Sequence, residues 1–336
     1  MSNQRPVYTQ VLKALKRMMP NQTQGHVVTL AMMITGIVIG KKAQLAPMST
    51  QVPHPAKDKS IEKRMRRWVK NGQIEIEVYF LPYAQALLAG LAENTLLLDM
   101  DGSAVGRGCM ILMVGVVYHK RALPIAWVVY KGKKGHATAA THLSVLVVVH
   151  CLIPEVADVI LLGDGEYDSV DMLTWVEQHT DWGMVARTAS DTHVYSDGEW
   201  TSLAELGVQP GGLISLPEVL FTRQSFGPTH VIAWWDQAYD DPLYLVTNLE
   251  LAEEACYWYR RRYRIETLFS DKKSRGFQID KSHLSDPARL ARLLIATSLA
   301  YIWMICLGFQ AIQEDHTHLI DRADRIDKSM FRLGLD

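Results

Sequence analysis

The sequence predicts an α/β protein: a mixed five-stranded sheet with flanking helices, interrupted by a β-rich insertion and preceded by a helical N-terminal domain. Three observations predict it. Residues 8–92 read as mostly helical. From Thr95 onward, short runs of Val, Ile and Leu alternate with Gly, Pro or charged turns and then with stretches of helical length. Residues 191–249 are instead rich in Gly, Pro, Ser and aromatic side chains, and helical periodicity resumes only at Leu251.

The elements follow in order. Residues 1–94 form the helical part, broken at Pro47–Lys59. After the break, Ser60-Ile-Glu-Lys-Arg-Met-Arg-Arg-Trp-Val-Lys-Asn opens on a helix-start serine and carries basic residues on several faces. Residues 95–190 hold three strands, Thr95–Met100, Met110–His119 and Leu123–Tyr130, whose short connections make them antiparallel neighbours. A helix over Ala137–Cys151, a buried strand over Val159–Gly163, a helix over Ser169–His179 and a strand over Trp182–Arg187 complete the first part. This is the order of the ribonuclease-H-like fold. The insertion, residues 191–249, has strand-like pieces at Val219–Arg223, His230–Trp235 and Leu243–Thr247. Residues 250–312 return to the core, and residues 313–336 are a C-terminal tail.

Composition narrows the function classes. A chain of 336 residues with 48% hydrophobic and 21% charged residues is neither disordered nor a coiled-coil rod. Its formal net charge is −1, yet residues 1–95 carry thirteen Lys and Arg against five Asp and Glu, a one-sided surface that phosphate backbones attract. The bland reading of the basic helix is a solvated surface. Four scattered cysteines argue against a disulfide scaffold or zinc ribbon and for a reducing cytoplasm. The N-terminus lacks the pattern of a secretory signal. Two apolar runs, Val27–Gly40 and Leu293–Phe309, sit at or under the lower limit for crossing a bilayer and read as buried core helices, so no membrane partner is expected.

The chemistry-bearing residues are acidic. Asp99 lies inside the apolar run Leu96-Leu-Leu-Asp-Met-Asp-Gly, where an unpaired charge costs several kcal/mol. Asp164 follows Val159-Ile-Leu-Leu-Gly, at the sheet edge where sites form in open sheets. If these strands are neighbours, the two carboxylates repel unless a divalent cation lies between them. A third acid, Glu266, lies in Tyr259-Arg-Arg-Arg-Tyr-Arg-Ile-Glu-Thr-Leu-Phe-Ser-Asp-Lys-Lys, read as one helix. At about 100° per residue, Tyr259, Arg262, Glu266 and Lys273 fall at roughly 0°, −60°, −20° and −40°, on one face. Helix geometry alone leaves two readings open: a stripe gripping a phosphate backbone beside metal ions, or an exposed basic helix with pairs such as Arg262–Glu266.

These residues resemble the DDE transposases of bacterial insertion sequences, of the insertion-sequence-four type. The family's pattern Y-x2-R-x3-E-x6-K is met in full by Tyr259, Arg262, Glu266 and Lys273. Leu97-Leu-Asp-Met-Asp-Gly-Ser is similar to the segment around the family's first Asp, and Leu162-Gly-Asp-Gly-Glu-Tyr-Asp to that around its second. The β-rich stretch between Asp164 and Glu266 also matches. The resemblance covers about Leu96 to Phe309, with a weaker one at Ser60–Asn71. Gly165 stands where the family often has Arg, and Met100-Asp101 replaces a polar-Thr pair.

The resemblance implies DNA cleavage and strand transfer, with Asp99, Asp164 and Glu266 as catalytic acids and ligands of two Mg²⁺ ions, Mn²⁺ being a substitute. It implies Tyr259, Arg262 and Lys273 on phosphates near the cut. Arg64, Arg66, Arg67 and Lys70 are the candidates for backbone contacts to terminal inverted repeats. Partners are double-stranded DNA ends and target DNA, and synapsis implies a homodimer. The final segment, Phe331–Asp336, is similar to the start of a piece that continues in relatives. Other acids read more simply: Asp101 as a turn or hydrogen-bonding residue or an acid behind the ligands, Asp168 as a cap of the next helix with Glu166 beside it. Trp234 or Trp235 could stack on an extruded base, though packing suits at least one. His316 and His318 read as surface. Rival readings are a structure-specific nuclease on the same fold and a non-catalytic DNA-binding relic of a transposon.

Overall fold

The computed structural model describes residues 4–322, 325 and 327–336; residues 1–3, at the start of the N-terminal reading, lie outside the described residues. The first part is helical: α1 (Gln4–Met18), α2 (Gln24–Gly40), α3 (Leu45–Ser49), α4 (Asp58–Lys70), α5 (Ile76–Tyr79) and α6 (Leu81–Leu91). The apolar α2 is buried over Val27 and Thr29–Ile37, and Leu45–Ser49 forms a short turn of helix across the start of the expected break at Pro47.

Three long strands follow, β1 (Leu96–Gly106), β2 (Cys109–Tyr118) and β3 (Arg121–Lys131), and they pair antiparallel as expected. Then come α7 (Ala139–His150), β4 (Val159–Gly163), α8 (Val170–His179) and β5 (Gly183–Thr188). β4 pairs parallel to both β1 and β5, so β3-β2-β1-β4-β5 is one continuous half-sheet. Ser169, not Asp168, caps α8: its hydroxyl accepts the Met172 N–H, satisfying one of the donors a helix start leaves over.

The expected five-stranded sheet is too small. Among the described residues ten strands form one sheet. After β6 (His193–Ser196) and β7 (Glu199–Ser202), β8 (Leu213–Phe221), β9 (Phe226–Trp234) and β10 (Leu243–Thr247) complete it, in the order β3-β2-β1-β4-β5-β10-β9-β8-β6-β7. β10 pairs antiparallel with the open side of β5, so the insertion prolongs the sheet and covers an edge whose N–H and C=O groups would otherwise be unpaired.

The chain returns through α9 (Ala252–Tyr259), α10 (Arg264–Lys272), α11 (Pro287–Gln313) and α12 (Met330–Leu335). The expected single helix carrying Tyr259 to Lys273 is broken. Between α9 and α10 the chain makes tight turns, with Arg261 N–H on Trp258 O, Arg262 N–H on Tyr259 O and Arg264 N–H on Arg261 O. Four like charges in five residues disfavour continuous helix there, and bonding three residues back changes the angular step. α11 is long and apolar enough to cross a membrane by length and composition, but 72% of its most apolar window is buried against neighbours including β3, α2 and α12. Trp234 is buried in packing, with the Arg260 guanidinium over its ring.

On the face where β1 presents Leu97, the sheet side chains Ile160, Leu162, Val185, Ile232 and Leu245 form an apolar layer with Ala252, Ala255, Cys256 and Tyr259 of α9. Side chains alternate along a strand, so Asp99 and Asp101 share that face with Leu97, and Asp164 follows Leu162 on the same face. The acids are therefore placed at the margin of a small dry core, under the start of α10.

Candidate active site

Asp99 is wholly buried, and its Oδ2 accepts the N–H of Ile265 at 3.2 Å. Ile265 is the second residue of α10, so a carboxylate on a distant strand satisfies one of the donors that the helix start leaves open. Asp99 Oδ1 has no hydrogen-bond partner. Burial pushes the Asp99 carboxyl well above the ordinary range, against the pull of Arg262 and the Ile265 bond.

Arg262, in the turn before α10, ties the acids together. Its Nη2 bonds Glu266 Oε1 at 2.7 Å, and its Nη1 lies 3.9 Å from Asp164 Oδ2, too far for a hydrogen bond. Burial opposes its charge, but Tyr259, Asp99, Glu266 and Asp164 together raise its pKa. Tyr259 is buried in the apolar layer, and burial pushes its phenol up to about 12. Lys273 leaves the helix as the residue after α10 and reaches β1 from there: its Nζ bonds Ser103 Oγ at 2.5 Å. Burial lowers its pKa.

The structure thus brings together Asp99, Asp164, Glu266, Tyr259 and Arg262, with Lys273 placed further along β1 at Ser103. It does not gather the N-terminal candidates as free cations. Arg64 is turned inward, bonding Thr29 Oγ1 and Gly25 O of α2, and Arg66 pairs with Glu62, leaving Arg67 and Lys70 exposed on α4. Sequence reasoning missed Arg187 at the end of β5. With Asp164, Ser190, Tyr244 and Arg262 it lines an open cleft of about 540 Å³ beside the acids. Its signal was its place at a strand's C-terminal end.

A family model described as "Transposase DDE domain" matches residues 99–303. The chain belongs to this transposase DDE family. The match begins at Asp99 and spans both parts of the sheet, the insertion and most of α11, so the acids above lie within the DDE domain. No match to a curated protein was found. Among solved structures, the piggyBac transposase in a synaptic complex with hairpin DNA is similar at 11% identity, with a TM-score of 0.47, covering 98% of this chain and 76% of that one.

Does this DDE domain suit the divalent cations that its family generally uses? The donor chemistry fits: the acids offer hard carboxylate oxygens, and Asp99 Oδ1 is orphaned in a buried position. Burial first, and then the neighbouring Asp164, push the Asp101 carboxyl up to about 6, a crowding that a cation relieves. Among the described residues no three acidic, His or Cys side chains close on one point, and the Arg262 guanidinium supplies the positive charge between Asp164 and Glu266.

Proposed function

We propose that this protein is a transposase of the insertion-sequence-four type that cuts the ends of its element and joins them to target DNA. The observation that carries the reading is that Asp164, at the end of β4, lies beside the acids of β1 and under Arg262 and Glu266, in a chain of the transposase DDE family. The half-sheet β3-β2-β1-β4-β5 supports a ribonuclease-H-like core. Asp164 and Glu266, with an acid of β1 that the sequence reading gives as Asp99, would hold the metal, two Mg²⁺ ions or Mn²⁺ in their place. When bound, such ions activate the attacking oxygen and stabilise the leaving one.

The chain's own groups do the rest. Arg262 and Lys273 offer a guanidinium and an ammonium to phosphates at the cut, and Tyr259 anchors the turn that carries Arg262. Water attacks phosphorus and the bridging 3′-oxygen leaves; the freed 3′-hydroxyl then attacks phosphorus in the target strand. There the target's own bridging 3′-oxygen leaves as the new bond forms and takes up the proton released by the attacking hydroxyl; both steps are in-line displacements, so no protein nucleophile is needed. Residues 1–94 would recognise the terminal inverted repeats, with Arg67 and Lys70 the best-placed phosphate contacts. Residues 95–190 and 250–312 form the catalytic core around the insertion, two copies pair to hold two ends, and the setting is the cytoplasm.

The test incubates purified protein and Mg²⁺ with a labelled fragment carrying the flanking inverted repeat, comparing wild type with Asp164→Ala. Cleavage at the repeat end that is lost in the variant is expected. Cleavage that survives removes Asp164 from the chemistry, repeat-independent cutting points to a nuclease, and binding without cutting points to a relic.

A further inference from the structure

We propose that Asp101, rather than Asp99, is the β1 acid that shares a divalent cation with Asp164, and that Asp99 is a positioning residue holding the start of α10. The inference rests on the reading above of a cation-dependent site and says which side chains form it.

The argument begins with strand register. β1 and β4 are parallel, and their last pairs are Asp99 with Leu162 and Met100 with Gly163. One step further along both strands lie Asp101 and Asp164, so these two acids are level, on neighbouring strands and on the same face. Adjacent strands are about 4.8 Å apart, whereas Asp99 sits two residues, or about 6.6 Å, back along β1. What lies level with Asp99 is Leu162, part of the sealed apolar layer.

The partners divide in the same way. One oxygen of Asp99 has a structural task, Oδ2 accepting the Ile265 N–H, and that bond sets the start of the helix whose next residue is Glu266; the other, Oδ1, is orphaned in a fully buried position two residues back from Asp101. Asp101 Oδ1 accepts only the N–H of its neighbour Gly102. Lys273 reaches Ser103, one alternation beyond Asp101 on the same face, so the cationic end of the Y-R-E-K segment is delivered to Asp101's end of β1.

A second observation concerns the other face of the sheet at these strand ends. Tyr167, 1% exposed, has a hydroxyl with no hydrogen-bond partner. That hydroxyl lies 3.5 Å from where a Cβ on Gly102 would sit, with Glu166 Oε2 at 3.9 Å from the same point. Gly163 makes this possible, since a Cβ there would stand 2.7 Å from the Tyr167 Cβ. His142, 4% exposed, packs its ring on Tyr167 and leaves both ring nitrogens unpartnered. Orphaned buried polar groups are costly, and these lie at the same strand ends but on the opposite face of the sheet from the side chains of Asp101 and Asp164.

The test measures Mn²⁺ binding by full-length protein, from the loss of the free-ion electron paramagnetic resonance signal, alongside hydrogen exchange at the Ile265 amide. Asp101→Asn and Asp164→Asn are expected to weaken Mn²⁺ binding at least tenfold and leave Ile265 protected. Asp99→Asn is expected to keep binding within about threefold, since a carboxamide oxygen still accepts, and Asp99→Ala to expose the Ile265 amide to faster exchange. If the Asn variant at 101 does not fold, Asp101→Cys replaces it: added Cd²⁺ should give a thiolate charge-transfer band absent from wild type and from Asp99→Cys. Loss of Mn²⁺ with Asp164→Asn but not with Asp101→Asn, or a Cd²⁺ band at 99 and not at 101, overturns the assignment of Asp101 alone. No Mn²⁺ bound by wild type, or none lost with Asp164→Asn, overturns the cation site itself.

Discussion

Arg262 stands where a cation is expected, and removing it should expose that substitution. Its side chain is 17% exposed and faces Asp164, whose side chain is 23% exposed, and the fully buried Asp99; the pair to Glu266 is discounted because that side chain is 56% exposed. An exposed i,i+4 pair contributes about 0.3–0.5 kcal/mol. Stripping one partner from a buried ion pair typically costs about 3–5 kcal/mol, and the partial exposure here puts Arg262→Met below that range, at a loss of about 2–3 kcal/mol. A cation that takes over the same charge returns about 2.7 kcal/mol at a hundred times its dissociation constant. Thermal unfolding in chelator and in excess Mg²⁺ reads this directly. Arg262→Met should unfold well below wild type in chelator, and Mg²⁺ should raise the variant's Tm more than the parent's. An undiminished Tm in chelator, or the same Mg²⁺ increment in both proteins, would refute the idea that guanidinium and cation neutralise the same carboxylates.

Three further outcomes follow from the packing. Lys272 is fully buried, bonding Ser298 Oγ at 2.7 Å, and burial pushes its ammonium from 10.5 down to about 7. With the folded pKa depressed, the unfolded chain binds the extra proton, so the lysine's cost is absent above about pH 10.5, grows as pH falls and is complete below 7. Lys272→Met should therefore stabilise by about 2–4 kcal/mol at pH 7 and by much less at pH 9.5 in urea unfolding; a gain independent of pH would contradict this. Gly308 and Gly334 let α11 and α12 touch backbone to backbone, a Cβ on either standing 1.9 Å from a carbonyl oxygen, of Met330 or Met304. Gly308→Ala should cost about 3 kcal/mol or undock α12, seen as faster proteolytic loss of the C-terminal segment, and an unchanged digestion pattern would show that the contact matters little. Ser169→Ala should lose about 1 kcal/mol by removing the α8 cap, with Ser169→Asp recovering it in the same denaturation assay.

The half-sheet was legible because its signal is local. Short apolar runs separated by tight turns specify β1 to β5 one element at a time, and the observed strands lie within two residues of those expected, except that β1 runs six residues past its expected end at Met100 and so includes Asp101 and Ser103. The Y-R-E-K spacing was equally plain as a pattern of residue types. Its geometry was not, because constant angular arithmetic fails once the turns of 260–263 tighten and Lys273 passes the end of α10. The basic character of residues 58–70 was visible, but that Arg64 is spent on α2 depends on how two helices pack.

What the amino-acid order determined by itself is therefore the element types, the acidic residues at strand ends and the family resemblance, all properties of neighbours along the chain. The tertiary structure alone decided that the insertion extends one ten-stranded sheet, that Arg262 lies between Asp164 and Glu266, and that β1 sets Asp101 and not Asp99 level with Asp164. The reason is physical: strand register and helix docking arise from pairing across the sheet and from buried shape, and a shift of two residues along a strand preserves every local signal while moving a carboxylate by about 6.6 Å.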